Sequence, residues 1–215
     1  MKKLLFAGLF LILCYNSVFA KTESFGTWIE LTFKKKFLKD FEFSFIPEFR
    51  LQDDFTLDEY ILEGKLGYEP FKFLDIAASY RYNTNIREKG NIVSHSIVFD
   101  LTGKADYKRF DGSLRTRFTN DLDAGDIIII QMDNWFFRPR AKIKYNIKGI
   151  KIDPFFSYEA FYDINLNEWF KGRYDIGASR DFGKHHEIGL YYRHQDYYYD
   201  RNSVSILGIN YEFKF

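Results

Sequence analysis

Polar and apolar side chains alternate along residues 134–146 with a period of two. One set of alternate positions is apolar or aromatic, and the other places basic side chains at four successive positions, namely Arg138, Arg140, Lys142 and Lys144. Successive side chains in a β-strand point to opposite sides, so a period of two indicates a strand whose faces meet different surroundings. The pattern predicts a strand with one apolar face and one strongly charged face.

The same separation recurs in residues 168–181 and 203–215, and no helical periodicity follows residue 20. In residues 168–181 the apolar set is Phe170, Gly172, Tyr174, Ile176 and Ala178. At the C-terminus it is Ser205, Leu207, Ile209, Tyr211, Phe213 and Phe215. The sequence therefore predicts an all-β fold in which many strands share this arrangement of faces.

Turns rich in Lys and Arg recur along the chain at intervals of about 36 to 39 residues. This spacing is typical of successive β-hairpins. The turns centre on Lys36, Lys72, Arg109, Lys148 and Lys184. Longer polar connections lie between them, so short and long connections are predicted to alternate, as in antiparallel barrels. The alternation of polar and apolar side chains indicates about eleven strands. Because single-chain bacterial barrels have an even number, we expect ten to twelve, with "DIIIIQM" (residues 126–132) as a candidate additional strand.

The N-terminus predicts export. Lys2 and Lys3 precede the apolar run "LLFAGLFLILC", and Val18 and Ala20 are small residues where a signal peptidase cleaves. Residues 1–20 are therefore predicted to be a cleaved signal peptide, which leaves residues 21–215 as one domain. After residue 20 no apolar run is long enough for a membrane helix, so any crossing of a bilayer must use strands.

Composition excludes several classes of function. Cys14 is the one cysteine, so the predicted mature chain has no disulfide, thiolate nucleophile or cysteine-based metal site. The 31 basic and 30 acidic side chains nearly balance, which argues against a nucleic-acid partner. No phosphate-binding loop or other cofactor motif is present, and we expect no cofactor. Aromatic residues make up 20% of the chain, more than a soluble core of this size usually carries.

Together these features predict a single antiparallel transmembrane β-barrel of about 10–12 strands in the bacterial outer membrane. Its outward side chains must be apolar because they contact hydrocarbon, and the charged set must line the lumen. The predicted lumen-lining residues are Arg138, Arg140, Lys142, Lys144, Glu159, Arg173 and Asp175. Tyrosines near strand ends are predicted to form interfacial girdles facing the lipid; they include Tyr80, Tyr82, Tyr158, Tyr162, Tyr191 and Tyr192.

The last strand ends in aromatic residues on the lipid-facing set. Tyr211, Phe213 and the C-terminal Phe215 resemble the signal that the barrel-assembly machinery reads in outer-membrane proteins. We therefore expect that machinery and the outer-membrane lipids as partners.

Several segments resemble an uncharacterised family of bacterial outer-membrane barrels, the Domain of Unknown Function 2490. The likeness rests on "FGTWIELTFKKKF", "ASYRYN", "FRPRAKIKY" followed by "PFFSYEAFYD", "HHEIGLYYRHQ" and "SILGINYEFKF". It covers nearly the whole chain after residue 20. The resemblance implies an outer-membrane β-barrel and transfers no active site.

Few residues suggest chemistry. His95 and His194 lie near strand ends on the lipid-facing set with serines nearby, among them Ser205, and a hydroxyl next to an imidazole could act as a nucleophile. An interfacial histidine explains the same pattern without catalysis. His185 and His186 fall in a predicted tight turn without further ligands, so we expect no metal site.

The predicted role is non-catalytic: a structural or small porin-like barrel, whose lumen charges either select anions or plug the interior. One alternative is an outer-leaflet lipid-modifying enzyme built around His95 or His194. Another is a soluble secreted barrel that binds an apolar ligand, which would require the apolar face to point inward. The loop "RHQDYYYDRNS" (residues 193–203) would suit a carbohydrate or another surface ligand.

Overall fold

The computed structural model describes residues 22–123, 135–199 and 202–215, which form eleven strands in one closed barrel. The strands are β1 (Thr22–Leu38), β2 (Phe41–Leu51), β3 (Leu57–Phe71), β4 (Leu74–Asn85), β5 (Ile92–Tyr107), β6 (Phe110–Asp123), β7 (Trp135–Tyr145), β8 (Asp153–Asp163), β9 (Glu168–Phe182), β10 (His186–Tyr197) and β11 (Asn202–Lys214). The predicted all-β class and strand range are confirmed. The predicted signal peptide and the candidate strand at 126–132 lie outside the described residues.

Strands adjacent in sequence pair antiparallel, and β1 closes the ring by pairing parallel with β11. The parallel register runs from Thr22 opposite Asn202 to Lys34 opposite Lys214. Antiparallel pairing, as predicted, holds for the other ten strand pairs, and the described strand number is odd where the rule for single-chain bacterial barrels gives an even one. The reason for the parallel pair is geometric: with an odd number of alternating strands, the first and the last run in the same direction.

The two ends of the barrel carry different connections. At one end, the turn end, lie residues 39–40, 72–73, 108–109, 146–152 and 183–185. At the other, the loop end, lie 52–56, 86–91, 164–167 and 198–199. Among the described connections, short and long ones alternate as predicted except that 146–152 is longer than 164–167. Backbone bonds between neighbouring connections and strands, such as Glu69 N–H to Asp40 O (2.8 Å), extend the ladders at the turn end.

The faces of the sheet reverse the usual distribution of polarity. Large apolar side chains point outward and remain exposed, for example Ile176 (62%) and Leu190 (56%). Charged side chains point inward and are buried, for example Glu159 (3% exposed) and Asp100 (5%). Soluble proteins rarely bury charges while exposing a continuous apolar surface. The alternative of an apolar ligand inside the barrel is not supported, because the interior is lined mainly by charged side chains.

No helix among the described residues is long and apolar enough to cross a membrane.

Tyr191 is placed inside the barrel, which corrects its prediction as a lipid-facing girdle residue. It pairs with Gly177 on β9 and Gly208 on β11, and its side chain is buried. A Cβ on Gly208 would overlap the Tyr191 ring, and one on Gly177 would lie 2.6 Å from Tyr191 Cβ. The glycines therefore provide the space in which a large ring fits within the wall. Tyr192, its neighbour in sequence, points outward because adjacent strand residues face opposite sides.

Phe170 also faces the interior, although the sequence alternation assigns it to the apolar outer face. The register between β8 and β9 shifts here: Phe161 pairs with Lys171, but Tyr162 pairs with Trp169, so Phe170 is an extra residue. Such a bulge changes which side the inserted residue faces. The Phe170 ring packs near Phe136 and Phe161, with centroid distances of 5.6 and 6.0 Å.

Pro139 interrupts a ladder without ending its strand. The β7–β8 register pairs Phe137 with Tyr162 and resumes at Arg140 opposite Glu159, so Arg138 and Pro139 have no partner in it. Proline has no N–H to donate, which explains the local gap. On the other side, Pro139 keeps its place opposite Thr116.

Gly177→Ala should destabilise the barrel, because its Cβ would collide with Tyr191 and with the Leu190 carbonyl oxygen, and the backbone cannot move away freely. We expect a loss of about 1–3 kcal/mol, typical of overpacking. The check is the urea midpoint of unfolding in detergent micelles. Gly64→Ala is the matched control, since nothing lies within 4 Å of its added Cβ. Equal midpoints for the two variants would contradict this account of the Tyr191 packing.

Candidate functional site: the charged interior

A cavity of ≈ 960 Å³ occupies the barrel interior. Its lining reaches from Lys36 and Asp40 at the turn end to Arg50 and Phe136 near the loop end. The lining comes mainly from the inward set of strand residues, which is charged or polar in most strands. A solute inside the barrel would therefore meet ionic side chains along the whole length of the cavity.

All seven predicted lumen-lining residues lie on the inner face. Arg138, Arg140, Glu159 and Arg173 line the main cavity, and Lys142 lines a smaller adjoining space of ≈ 170 Å³. Lys144 lies near the turn end, with its Nζ 3.5 Å from Asp153 Oδ2 and 3.7 Å from Glu187 Oε1. Asp175 binds Arg193 on the neighbouring strand. The structure thus brings these residues to one interior, spread over several levels.

Glu159 is shared by three arginines from three strands. Its Oε1 accepts from Arg115 Nη2 at 2.6 Å and lies 3.1 Å from Arg138 Nη2, and its Oε2 lies 3.5 Å from Arg173 Nη1. Glu159 is also the cross-strand partner of Arg140. Buried charges are tolerated when they are paired and hydrogen-bonded. One carboxylate therefore compensates several cations on this side of the barrel.

Two bidentate pairs tie neighbouring strands together. Arg117 donates from Nε and Nη2 to the two oxygens of Asp100, both at 2.7 Å. Arg193 donates in the same way to Asp175, at 2.6 and 2.9 Å. Parallel charge-assisted bonds of this kind fix the position of both side chains. These four groups act as rigid parts of the wall.

The side of the interior formed by β1–β4 is richer in carboxylates. Glu30 lies directly opposite Glu48 across β1 and β2. Arg50 Nε donates to Glu48 at 2.7 Å, and Arg81 Nε lies 3.3 Å from Glu63. The residues of this side were not identified from the sequence. The same alternation, read through "WIELTF" and "EFSFIPEFR", would have assigned Glu30, Glu48 and Arg50 to the inner face.

Trp28 is a further interior residue that the sequence analysis missed. Three guanidinium groups lie over its ring, those of Arg50 (4.0 Å to the centroid), Arg193 (5.0 Å) and Arg173 (5.3 Å). Contacts of this kind are attractive because the face of the indole is electron-rich. Trp28 thus helps to hold cations from both sides of the lumen close together.

His95 is not placed with its neighbouring serines. Its ring points outward and is hydrogen-bonded to Tyr80 Oη, and its centroid lies 5.4 Å from that of Tyr82. Ser94 and Ser96 point to the opposite side of β5 because strand neighbours alternate. His95 therefore belongs to an aromatic cluster on the outer surface of the barrel.

His194 and Ser205 are cross-strand neighbours on the outer face of β10 and β11. The Ser205 hydroxyl is hydrogen-bonded to Tyr192 Oη at 2.8 Å. The two residues are thus close in the fold, and Tyr192 is one hydrogen-bond partner of the Ser205 hydroxyl. Among the described residues no group of three His, Cys, Asp or Glu side chains is arranged to hold a metal ion.

Of the predicted assembly signal, Tyr211 and Phe213 lie on the outer face of β11 near the turn end, and Phe215 directly follows the strand. Phe213 and Phe215 contact edge to face with centroids 4.7 Å apart. His186 Nδ1 is hydrogen-bonded to Tyr211 Oη at 2.8 Å. Phe215 remains exposed, and its backbone N–H donates to Lys34 O at 2.9 Å across the β1–β11 seam.

Fold and interior define a class: a closed all-β barrel with an apolar exterior and a charged cavity. The family model for proteins of unknown function designated DUF2490 matches residues 25–204, and the chain belongs to this family. Comparison with curated proteins gives no match. The predicted family resemblance is therefore confirmed.

Glu159→Gln should destabilise the barrel, because three arginines lose their shared counter-charge. We expect a cost near the lower end of the ~3–5 kcal/mol seen when a buried pair loses one partner, since glutamine still accepts a hydrogen bond. Glu69→Gln is the control: it removes the same charge from a partly exposed group near Lys36 and Lys104, where ~0–1 kcal/mol is expected. Thermal unfolding in detergent provides the comparison, and equal losses would contradict the role assigned to Glu159.

Proposed function

We propose that this protein is a transmembrane β-barrel of the bacterial outer membrane with a non-catalytic, porin-like role, whose charged interior admits a small polar solute. The observation that supports this proposal is the combination, on one closed sheet, of an exposed apolar outer face and a buried charged inner face. A strand pairs all its backbone groups inside hydrocarbon when the sheet has no edge.

The outer surface has the composition that a lipid environment requires. Its exposed large side chains include Leu101, Leu114, Ile176 and Leu190 in central parts of the strands. Aromatic groups lie toward the strand ends, as in the Tyr80–His95 and Tyr162–Trp169 contacts. Aromatic rings with a polar tip favour the boundary between lipid and water.

The turn end is assigned to the periplasm, because short turns occupy that side in bacterial barrels and the longer loops face outward. On this assignment the aromatic end of β11 lies near the periplasmic surface, where the assembly machinery would bind it. Partners in this proposal are that machinery and the lipids of the outer membrane. The polar solute enters through an end of the barrel.

A non-catalytic role is favoured by the environment of the candidate residues. His95 is held by Tyr80 on the outer face, whereas Ser94 and Ser96 point to the other side of β5. A serine nucleophile needs an adjacent base in hydrogen-bond reach. The two histidines instead resemble interfacial groups that anchor the barrel at the membrane surface.

Leu190→Arg tests the membrane location, because a charge on the lipid-facing side of β10 costs ~2–4 kcal/mol near the bilayer centre and little at its surface. We expect wild type to fractionate with the outer membrane and to show a heat-dependent gel shift, and Leu190→Arg to accumulate much less. Leu166→Arg is the matched control, since Leu166 is also an exposed leucine but lies in the 164–167 loop.

In a soluble barrel, both arginines would be solvated and both variants would behave alike. A soluble periplasmic protein without a gel shift, with equal yields of the two variants, would sink the membrane proposal.

The double variant His95→Ala/His194→Ala tests the non-catalytic role. We expect the outer-membrane lipids of cells that express it to match those of wild-type cells by mass spectrometry, because the proposed role assigns no nucleophile to either histidine. His185→Ala/His186→Ala, at the turn end, is the control for nonspecific effects. A lipid species formed with wild type and with the control, but lost with the double variant, would establish the enzyme alternative.

A further inference from the structure

Positive charge is in excess on the wall formed by β6–β9. The guanidinium groups of Arg115, Arg138 and Arg173 all reach one carboxylate, that of Glu159. Asp175, an inward carboxylate of β9, is held by two nitrogens of Arg193. Like charges gathered in a region of low dielectric repel strongly unless a counter-charge is present.

Two further cations of this wall have no carboxylate bonded to them among the described residues. Arg140 lies opposite Glu159 in the ladder, and its Nε is buried without a hydrogen-bond partner. Lys171 contacts the rings of Phe161 (4.1 Å), Tyr197 (5.3 Å) and Phe170 (5.6 Å) rather than an anion. A buried donor without an acceptor is costly, so Arg140 Nε favours a bound acceptor, and Lys171 lines the same cavity.

Arg173 is only weakly engaged by carboxylate. Its Nε and Nη2 both donate to the amide oxygen of Gln195, at 3.2 and 2.8 Å, and its contact with Glu159 is 3.5 Å long. The neutral partner positions the planar group without cancelling its charge. A guanidinium held in this way remains available to an anion in the cavity.

One aromatic ring brings three of these cations together. Lys171 Nζ, Arg138 Cζ and Arg173 Cζ lie 4.1, 4.4 and 4.9 Å from the centroid of Phe161. Arg138, Lys171 and Arg173 also line the main cavity, as does Arg140. The convergence on one ring places several N–H donors around a single small volume at the loop-side half of the lumen.

We infer that Arg138, Arg140, Lys171 and Arg173 form a binding site for a small multivalent oxyanion, such as a phosphate compound or a polycarboxylate. This inference rests on the proposed function, because the solute must enter the barrel. Guanidinium groups recognise oxyanions through paired N–H donors, and a multivalent anion offers enough oxygens to engage several cations at once. The opposite wall does not compete: its arginines, Arg50 and Arg81, already contact Glu48, Glu59 and Glu63.

The test is isothermal titration of purified, folded barrel in non-ionic detergent with inorganic pyrophosphate, and in parallel with phosphate and citrate. We expect one saturable site per chain. Arg140→Gln and Lys171→Gln should each weaken pyrophosphate binding at least tenfold, about 1.4 kcal/mol. Lys65→Gln is the matched control: it removes the same charge from the lumen, but Lys65 is paired with Asp100 on the other side of the cavity, 3.3 Å away.

The gel shift on heating confirms folding of every variant before titration. Absence of saturable binding to wild type, or an equal loss in Lys65→Gln, would overturn the inference, because the second result means nonspecific attraction. A stronger response to citrate than to pyrophosphate assigns the site to carboxylates, and the reverse order assigns it to phosphates. Binding measured on a protein that fractionates outside the membrane would sink the proposed location and leave the anion site standing.

Discussion

Closure of the hydrogen-bonded ring is the constraint on which the rest of the structure depends. An open sheet of these strands would leave two rows of unpaired N–H and C=O groups, and the β1–β11 pairing removes both. Once the ring is closed, every strand has an inside and an outside. The period of two in the sequence then sorts side chains between a narrow interior and an extended surface, and all further chemistry follows from that division.

The interior combines ionic contacts with a few buried apolar side chains such as Ile61, Val98 and Ile206. Bidentate pairs such as Asp100–Arg117 fix neighbouring strands, while Glu159 and Trp28 gather arginines from several strands. Carboxylates are concentrated on β1–β4, and the surplus cations are on β6–β9. One wall of the lumen is therefore more negative and the opposite wall more positive. Such an arrangement orients a charged solute as well as attracting it.

The alternation of residues predicts the face of most side chains, including all seven predicted lumen residues, because strand geometry leaves two choices. It fails for Phe170, where a bulge inserts one residue. For Tyr191 the alternation holds and the girdle assignment was wrong, because glycines of two other strands provide the space for its ring inside the barrel. The sharing of Glu159 by three arginines could not be predicted from the sequence either, because it depends on the register between strands that are not all adjacent. The odd strand number was visible in the alternation, but the general rule for bacterial barrels argued against it.

The parallel seam has a consequence for assembly kinetics. Every other strand pair joins consecutive segments, which can zip together as hairpins, whereas β1 and β11 come from opposite ends of the sequence. The entropic cost of bringing them together falls late, after the hairpins have formed. Until then the chain is a curved sheet with two unpaired edge strands, β1 and β11, and each edge can pair with a strand of another chain. A long lifetime of that open sheet would favour pairing between chains. Rapid closure of the β1–β11 seam therefore protects the barrel against aggregation.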